Sequence, residues 1–242
     1  MNKIIFHSNR QYNTPENPFN PVPAAKAIPQ WFMDSDMYLK DPVTGEEVKN
    51  YWNGGKTLSF RACPALIDMY TSGYILKTPC DVMFINNENG VSVATPNGYE
   101  DFCGARGKMP QLQVPSGYLE EHFHWFPNWA PELPDGYSAI YMNPINHFEL
   151  PFMTTAGIIE NDKVNTPGLI PFFLKEGFSG IIPAGTPYLQ IIPFKREDWQ
   201  MDFIFHTNEK IFERYKESGD KFRTNQDGGV YKKSLWERIK YR

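Results

Sequence analysis

Between Thr57 and Phe194 apolar and polar residues alternate in short runs with a period near two, separated by turn residues. Successive side chains of an extended chain point to opposite faces, so this period predicts half-buried strands. The runs fall at 57–62, 74–78, 82–86, 91–95, 119–126, 137–142, 148–152, 157–160, 169–174, 180–182 and 188–194. Asn86-Asn87-Glu88-Asn89-Gly90 joins two of them and signals a hairpin, because Asn and Gly accept the positive φ of a tight reversal. No amphipathic stretch of helical period lies between the runs, which argues against a parallel sheet layered with helices. The expected fold is mainly β: an antiparallel sandwich, a jelly roll or a distorted barrel.

The flanks follow other rules. Residues 7–30 contain Pro15, Pro18, Pro21, Pro23 and Pro29, a spacing that no helix holds and that favours an extended arm. The arm ends in Ile28-Pro29-Gln30-Trp31-Phe32-Met33, large apolar groups that are costly to leave wet and therefore anchor it to a core or to another chain. A short helix is expected over Pro64–Tyr70, stopped by Ser72-Gly73. Asn208 is positioned to cap a helix over Glu209–Ser218 with Ile211, Phe212 and Tyr215 on one face and Gly219 as the stop. Tyr231, Leu235 and Ile239 recur at helical spacing and predict a last helix. The implied organisation is an arm and anchor over 1–56, a β-domain over 57–204 and a helical extension over 205–242.

Composition narrows the function classes. With 242 residues the chain buries a core without disulfide staples. Cys63, Cys80 and Cys103 are an odd number at spacings that suit neither a disulfide framework nor a zinc knuckle, and they are expected reduced. No run approaches the roughly 20 apolar residues of a membrane-spanning helix, and Met1–Phe6 lacks the apolar length of a secretory signal. Net charge is −4, but residues 205–242 hold ten Lys/Arg against six Asp/Glu, leaving −8 on the rest. An acidic body argues against wrapping nucleic acid, and the basic end reads as a solvated helix face. There is no P-loop, no Gly-x-Gly-x-x-Gly and no Gly-x-Ser-x-Gly, so no nucleotide cofactor is expected.

Two constellations carry candidate chemistry. His122 and His124 in Glu120-Glu121-His122-Phe123-His124 point the same way on a strand, and Glu132 would complete a facial metal triad. The pair is similar to the HxH of cupins, and Pro183-Ala184-Gly185-Thr186-Pro187 resembles the turn before the last cupin metal histidine, where this chain has Tyr188. The alternative is an aromatic-rich strand whose histidines are solvated or hydrogen-bonded.

The second constellation comprises Pro134-Asp135-Gly136-Tyr137-Ser138, Thr155-Ala156-Gly157-Ile158-Ile159-Glu160-Asn161-Asp162 and Gly185-Thr186-Pro187-Tyr188-Leu189-Gln190. In this order the segments resemble the trimeric dUTPase and dCTP deaminase family. The resemblance implies a dUTPase-like distorted barrel, with Glu160 or Asp162 in the place of the acid that activates water near a nucleotide and Gln190 nearby. That family holds phosphates with Arg-Ser-Ser, where this chain reads Asn143-Pro144-Ile145, and its glycine-rich tail is echoed only by Arg223-Thr224-Asn225-Gln226-Asp227-Gly228-Gly229.

Ile28-Pro29-Gln30-Trp31, Gly136-Tyr137-Ser138, Gly185-Thr186-Pro187, Gln190 and Pro193-Phe194-Lys195-Arg196 resemble a group of uncharacterised tailed-phage proteins, which implies a viral setting, in a virion or the host cytoplasm. The leading expectation is a non-enzymatic structural or assembly protein that contacts like or neighbouring subunits through its two flanks, with Trp31, Phe32, Tyr231 and Leu235 as interface residues. Trp52, Trp125, Trp129, Trp199 and Trp236 are further aromatic anchors, whether in an interface or in the core. The alternatives are a dUTPase-like nucleotide hydrolase and a cupin-like metal enzyme.

Overall fold

The computed structural model describes residues 2–8, 14–51, 54–88, 90–223 and 231–242, without the side chains of 221–223. Trp52, Asn89 and the 224–229 stretch therefore lie outside the described residues. Contacts divide the chain into two compact units, one of Met1–Ala27, Gly73–Arg196 and Tyr241–Arg242, the other of Ile28–Ser72 and Glu197–Lys240.

The first unit is built of strands apart from one 3-10 turn, Ala24–Lys26. Its elements are β1 (Ile5–His7), β2 (Val22–Pro23), β3 (Tyr74–Lys77), β4 (Val82–Asn87), β5 (Gly90–Ala94), β6 (Cys103–Lys108) and β7 (Tyr118–Trp125), followed by β8 (Ala130–Glu132), β9 (Tyr137–Met142), β10 (Phe152–Thr154), β11 (Gly157–Ile159), β12 (Ile170–Lys175), β13 (Gly180–Ile182) and β14 (Pro187–Lys195). They form sheets in the orders β11-β9-β14-β3-β2, β10-β12-β7-β6, β13-β4-β5 and β1-β8. Every pairing is antiparallel. None of the sheets closes on itself among the described residues, so the fold is the sandwich and not the barrel.

Strand alternation builds the core. On β7, Phe123 and Trp125 face inward and are fully buried, and on β14 Leu189 and Ile191 do the same. Trp125 stacks on Phe172 of β12 with ring centroids 4.0 Å apart and planes 10° from parallel. The Trp125 indole N–H donates to Thr154 Oγ1 at 3.2 Å, and the Thr154 hydroxyl donates to the Tyr188 carbonyl at 2.8 Å. Thr154 thus satisfies a buried indole on one sheet and ties β10 to β14 on the other.

Some predicted strands differ. Residues 148–152 do not form a strand; the chain turns there, with Asn146 at φ 57° and His147 N donating to Pro144 O, and β10 starts only at Phe152. Pro144 and Pro151 cannot donate to a ladder, which explains the delay. Residues 57–62 give one isolated bridge, Leu58 to Tyr38, and then a 3-10 turn, Phe60–Ala62, whose start is capped by the Ser59 side chain. β6, invisible to the periodicity, is an edge strand of Cys-Gly-Ala-Arg-Gly-Lys.

The second unit holds α1 (Gln30–Asp34), α2 (Pro64–Thr71) and α3 (Asn208–Arg223). Its small core centres on Phe32, 4.2 Å from the Tyr70 ring, and Trp236 Nε1 donates to Asp68 Oδ2 at 2.8 Å. Thr207, not Asn208, caps α3: its carbonyl accepts from Ile211 N and its hydroxyl from Lys210 N. The helix also runs past Gly219, which keeps a negative φ and costs only about 1 kcal/mol there relative to Ala. The expected last helix shrinks to one π-type turn, Tyr231–Leu235, closed by Trp236 N to Tyr231 O at 2.8 Å.

The chain leaves or enters the first unit at Ala27, Gly73, Arg196 and Tyr241, and the first unit grips each of these points. Ala27 O accepts from His147 Nε2 at 3.0 Å, and Gly73 O accepts from Ala24 N at 3.0 Å. Arg196 N donates to Gly136 O at 2.8 Å, while the Tyr241 ring lies edge-on to Tyr74, whose hydroxyl donates to Arg242 O at 3.3 Å.

Candidate functional site

The acidic turn after β11 separates its residues by role. Asp162 is almost covered, its side chain 4% exposed, and its carboxylate takes both guanidinium nitrogens of Arg196, one at 2.8 Å, plus Gly136 N at 2.8 Å. The Arg196 guanidinium, helped by that backbone N–H, holds the Asp162 carboxyl down at about 2. Arg196 also donates to Tyr137 O and Ser138 Oγ. An acid held this way is a fixed anion, whereas a general base needs a proton affinity near the working pH. Glu160 is exposed, with Lys163 Nζ at 3.7 Å.

Gln190 belongs to the opposite end of β14. It is buried, and its Oε1 accepts from Ile145 N at 2.9 Å. Six residues of extended strand separate it from Arg196, roughly 20 Å. The segments that resemble the nucleotide hydrolases are therefore adjacent as strands, β11 on β9 on β14, while Asp162 and Gln190 each serve a local structural bond. Between them, buried Asn161 accepts from the Tyr141 hydroxyl at 3.2 Å, and its own amide nitrogen has no partner among the described residues. Burial also raises the Tyr141 hydroxyl above its usual range.

The histidine pair lies on the outward face of β7, as alternation requires. His122 is buried, its Nδ1 donates to Gly107 O at 2.7 Å, and its ring lies 6.5 Å from that of Phe173. His124 stacks over Gly104 of β6, where a Cβ would come within 2.8 Å of its Cε1. Its Nδ1 is buried with no partner among the described residues, and desolvation, with Arg106 nearby, pushes the ring below the usual histidine range toward the neutral form. Glu132 is elsewhere: it sits on β8, opposite β1, and accepts from His7 Nε2 at 2.8 Å. Among the described residues no group of three His, Cys, Asp or Glu is gathered as metal ligands.

Beside the His7–Glu132 pair opens a cavity of about 450 Å³ lined by His7, Ser8, Phe126, Asn128 and Asn165 with intervening prolines. Its amides and imidazole offer hydrogen bonds, and among the described residues no Lys or Arg lines it, as a polyphosphate would need. Thiol chemistry is suppressed at two of the three cysteines. Burial pushes the Cys80 thiol up to about 12 and raises Cys103 as well, so neither supplies a thiolate near neutral pH.

The expected interface residues divide between core and surface. Phe32 is buried, whereas Trp31 is half-exposed, edge-on to Phe32 and Tyr70. Tyr231 borders a groove of about 230 Å³ with Leu58, Cys63 and Pro64, and Leu235 is exposed. Trp125 belongs to the core and Trp129 packs against it. The residues that sequence reasoning underweighted follow Arg196. Trp199 is 90% exposed, Met201 77%, Phe203 66%, Ile204 76% and Phe205 93%. This segment has no regular secondary structure, and the hydrogen bond it makes among the described residues is local, Phe203 N to Asp202 Oδ1. The signal was available: Trp199, Met201, Phe203 and Phe205 alternate with Gln200, Asp202 and Ile204. Comparison with family models, with curated proteins and with solved structures found no match for the chain.

Proposed function

We propose that this protein is a non-enzymatic assembly protein of phage-type particles whose second unit contacts neighbouring subunits. One observation carries the reading: five large apolar side chains between Trp199 and Phe205 face solvent on a segment with no fold of its own. Contiguous apolar surface of this kind marks interaction sites on stable proteins. The half-exposed Trp31 and the exposed Leu235 of the same unit add to it. The viral setting rests on the tailed-phage resemblance of the Ile28–Trp31, Gly136–Ser138 and Gly185–Arg196 segments. The titratable groups suggested for catalysis support the reading indirectly, since Asp162 is spent on Arg196 and Glu132 on His7.

Limited proteolysis with light scattering at micromolar concentration tests it. Expected is an assembly in which the 197–206 segment is protected, becoming monomeric and cleavable there when Trp199, Phe203 and Phe205 are changed to Ala. A monomer whose 197–206 segment resists protease, and so is covered by its own chain, overturns it.

A further inference from the structure

Resting on that reading, we infer that the occupant of the Trp199–Phe205 segment is a second copy of this chain, and that the segment docks on the outer face of the β13-β4-β5 sheet. β4 begins Val82-Met83-Phe84-Ile85, apolar on both faces. Val82 and Phe84 are fully buried, while Met83 and Ile85 point outward, 40% and 46% exposed. Ile181 of β13 pairs directly with Met83 and is also half-exposed, so the three aliphatic side chains form one patch. A strand apolar on both sides is the pattern of a strand covered on both sides. Here, among the described residues, only the inner side is covered.

The two surfaces suit each other. One is a run with strand period that turns Trp199, Met201, Phe203 and Phe205 to the same side when extended. The other is an aliphatic sheet face on β4 and β13, in a sheet whose edge strands are β13 and β5. A chain of strand period adds to such an edge through main-chain hydrogen bonds while its alternate side chains cover the face. Exposed aromatics of roughly 150–250 Å² each, with Met201 on the same side, make about 600 Å², the upper end of the largest patch of an ordinary monomer and most of one partner's share of a standard interface. Both surfaces lie on one sequence and are present in equal number. Because they are different patches, the contact is heterologous, closing into a ring or propagating, as a particle component requires.

A mixing experiment decides it. The tail variant carries Trp199→Ala, Phe203→Ala and Phe205→Ala; the face variant carries Ile85→Glu and Ile181→Lys, both at half-exposed positions. Light scattering should show the unaltered chain self-associating, each variant weakened at least about a hundredfold, and the two mixed variants forming a 1:1 complex, since each keeps the surface the other lacks. That complex also shows that both variants are folded. Association that survives in the face variant, or its absence on mixing, overturns the inference and leaves the assembly reading standing. A monomeric parent with a protease-sensitive 197–206 segment does the same, pointing to a different partner. A monomer with that segment protected overturns both.

Discussion

Arg196 and Asp162, separated by 34 positions, face each other through two guanidinium nitrogens and two carboxylate oxygens at the point where β14 gives way to the second unit. With Gly136 N on the same carboxylate, the pair fastens the end of β14 to the turn before β9. One of the two residues that the resemblance put in the place of a water-activating acid is thereby a clamp.

The clamp has a pH signature. The Asp162 carboxyl lies at about 2 in the fold against an ordinary 3.8, so its contribution is complete above pH 4 and is lost as pH falls from about 4 to about 2. Denaturant titrations at pH 7, 4 and 2 should show stability falling over that interval, and Asp162→Asn should be less stable at pH 7 with a flatter profile below 4. An unchanged acid limb in the variant would remove the clamp.

Core aromatic packing should dominate stability. Phe172→Ala removes the ring stacked on Trp125 and should cost about 3–5 kcal/mol. Thr154→Val keeps the volume but strands the Trp125 indole N–H, and should cost about 1–3 kcal/mol. Urea unfolding followed by tryptophan fluorescence measures both.

Gly73 admits no side chain. Its φ is +72°, and a Cβ would lie 2.0 Å from the Ile191 carbonyl oxygen, a main-chain atom of β14 that cannot swing away. Gly73→Ala should lose more than the roughly 1–2 kcal/mol of left-handed strain alone, read as a lowered Tm or loss of folded protein.

The thiols should separate by burial. Native protein at pH 8 should react quickly with a thiol reagent at Cys63 alone, while Cys80 and Cys103, buried and raised, react only after denaturation. Three equally fast thiols would contradict the packing around β6.

Strands buried on one face were legible where the local pattern suffices. The expected 137–142 and 180–182 runs coincide with β9 and β13, and the Asn86–Gly90 reversal joins β4 to β5. β6 was not legible, because an edge strand needs no apolar face, and Gly104 is small for the sake of the His124 ring one strand away. Helix ends were only half legible, since Asn208 and Gly219 carry cap and stop chemistry that Thr207 and the following residues override.

Alternation and turn chemistry, both local, determined from sequence alone that this chain is mainly antiparallel β, a sandwich or a distorted barrel, with helical segments in its flanks; the sheet order decided for the sandwich. Only the tertiary structure decided what the polar residues do there. A carboxylate, an imidazole or an amide reads the same in sequence whether it awaits a substrate or is held by Arg196, Gly107 or Ile145, and those partners lie 15 to 45 residues away. Exposure is decided the same way: Trp125 and Trp199 are the same residue until packing buries the first and leaves the second in water.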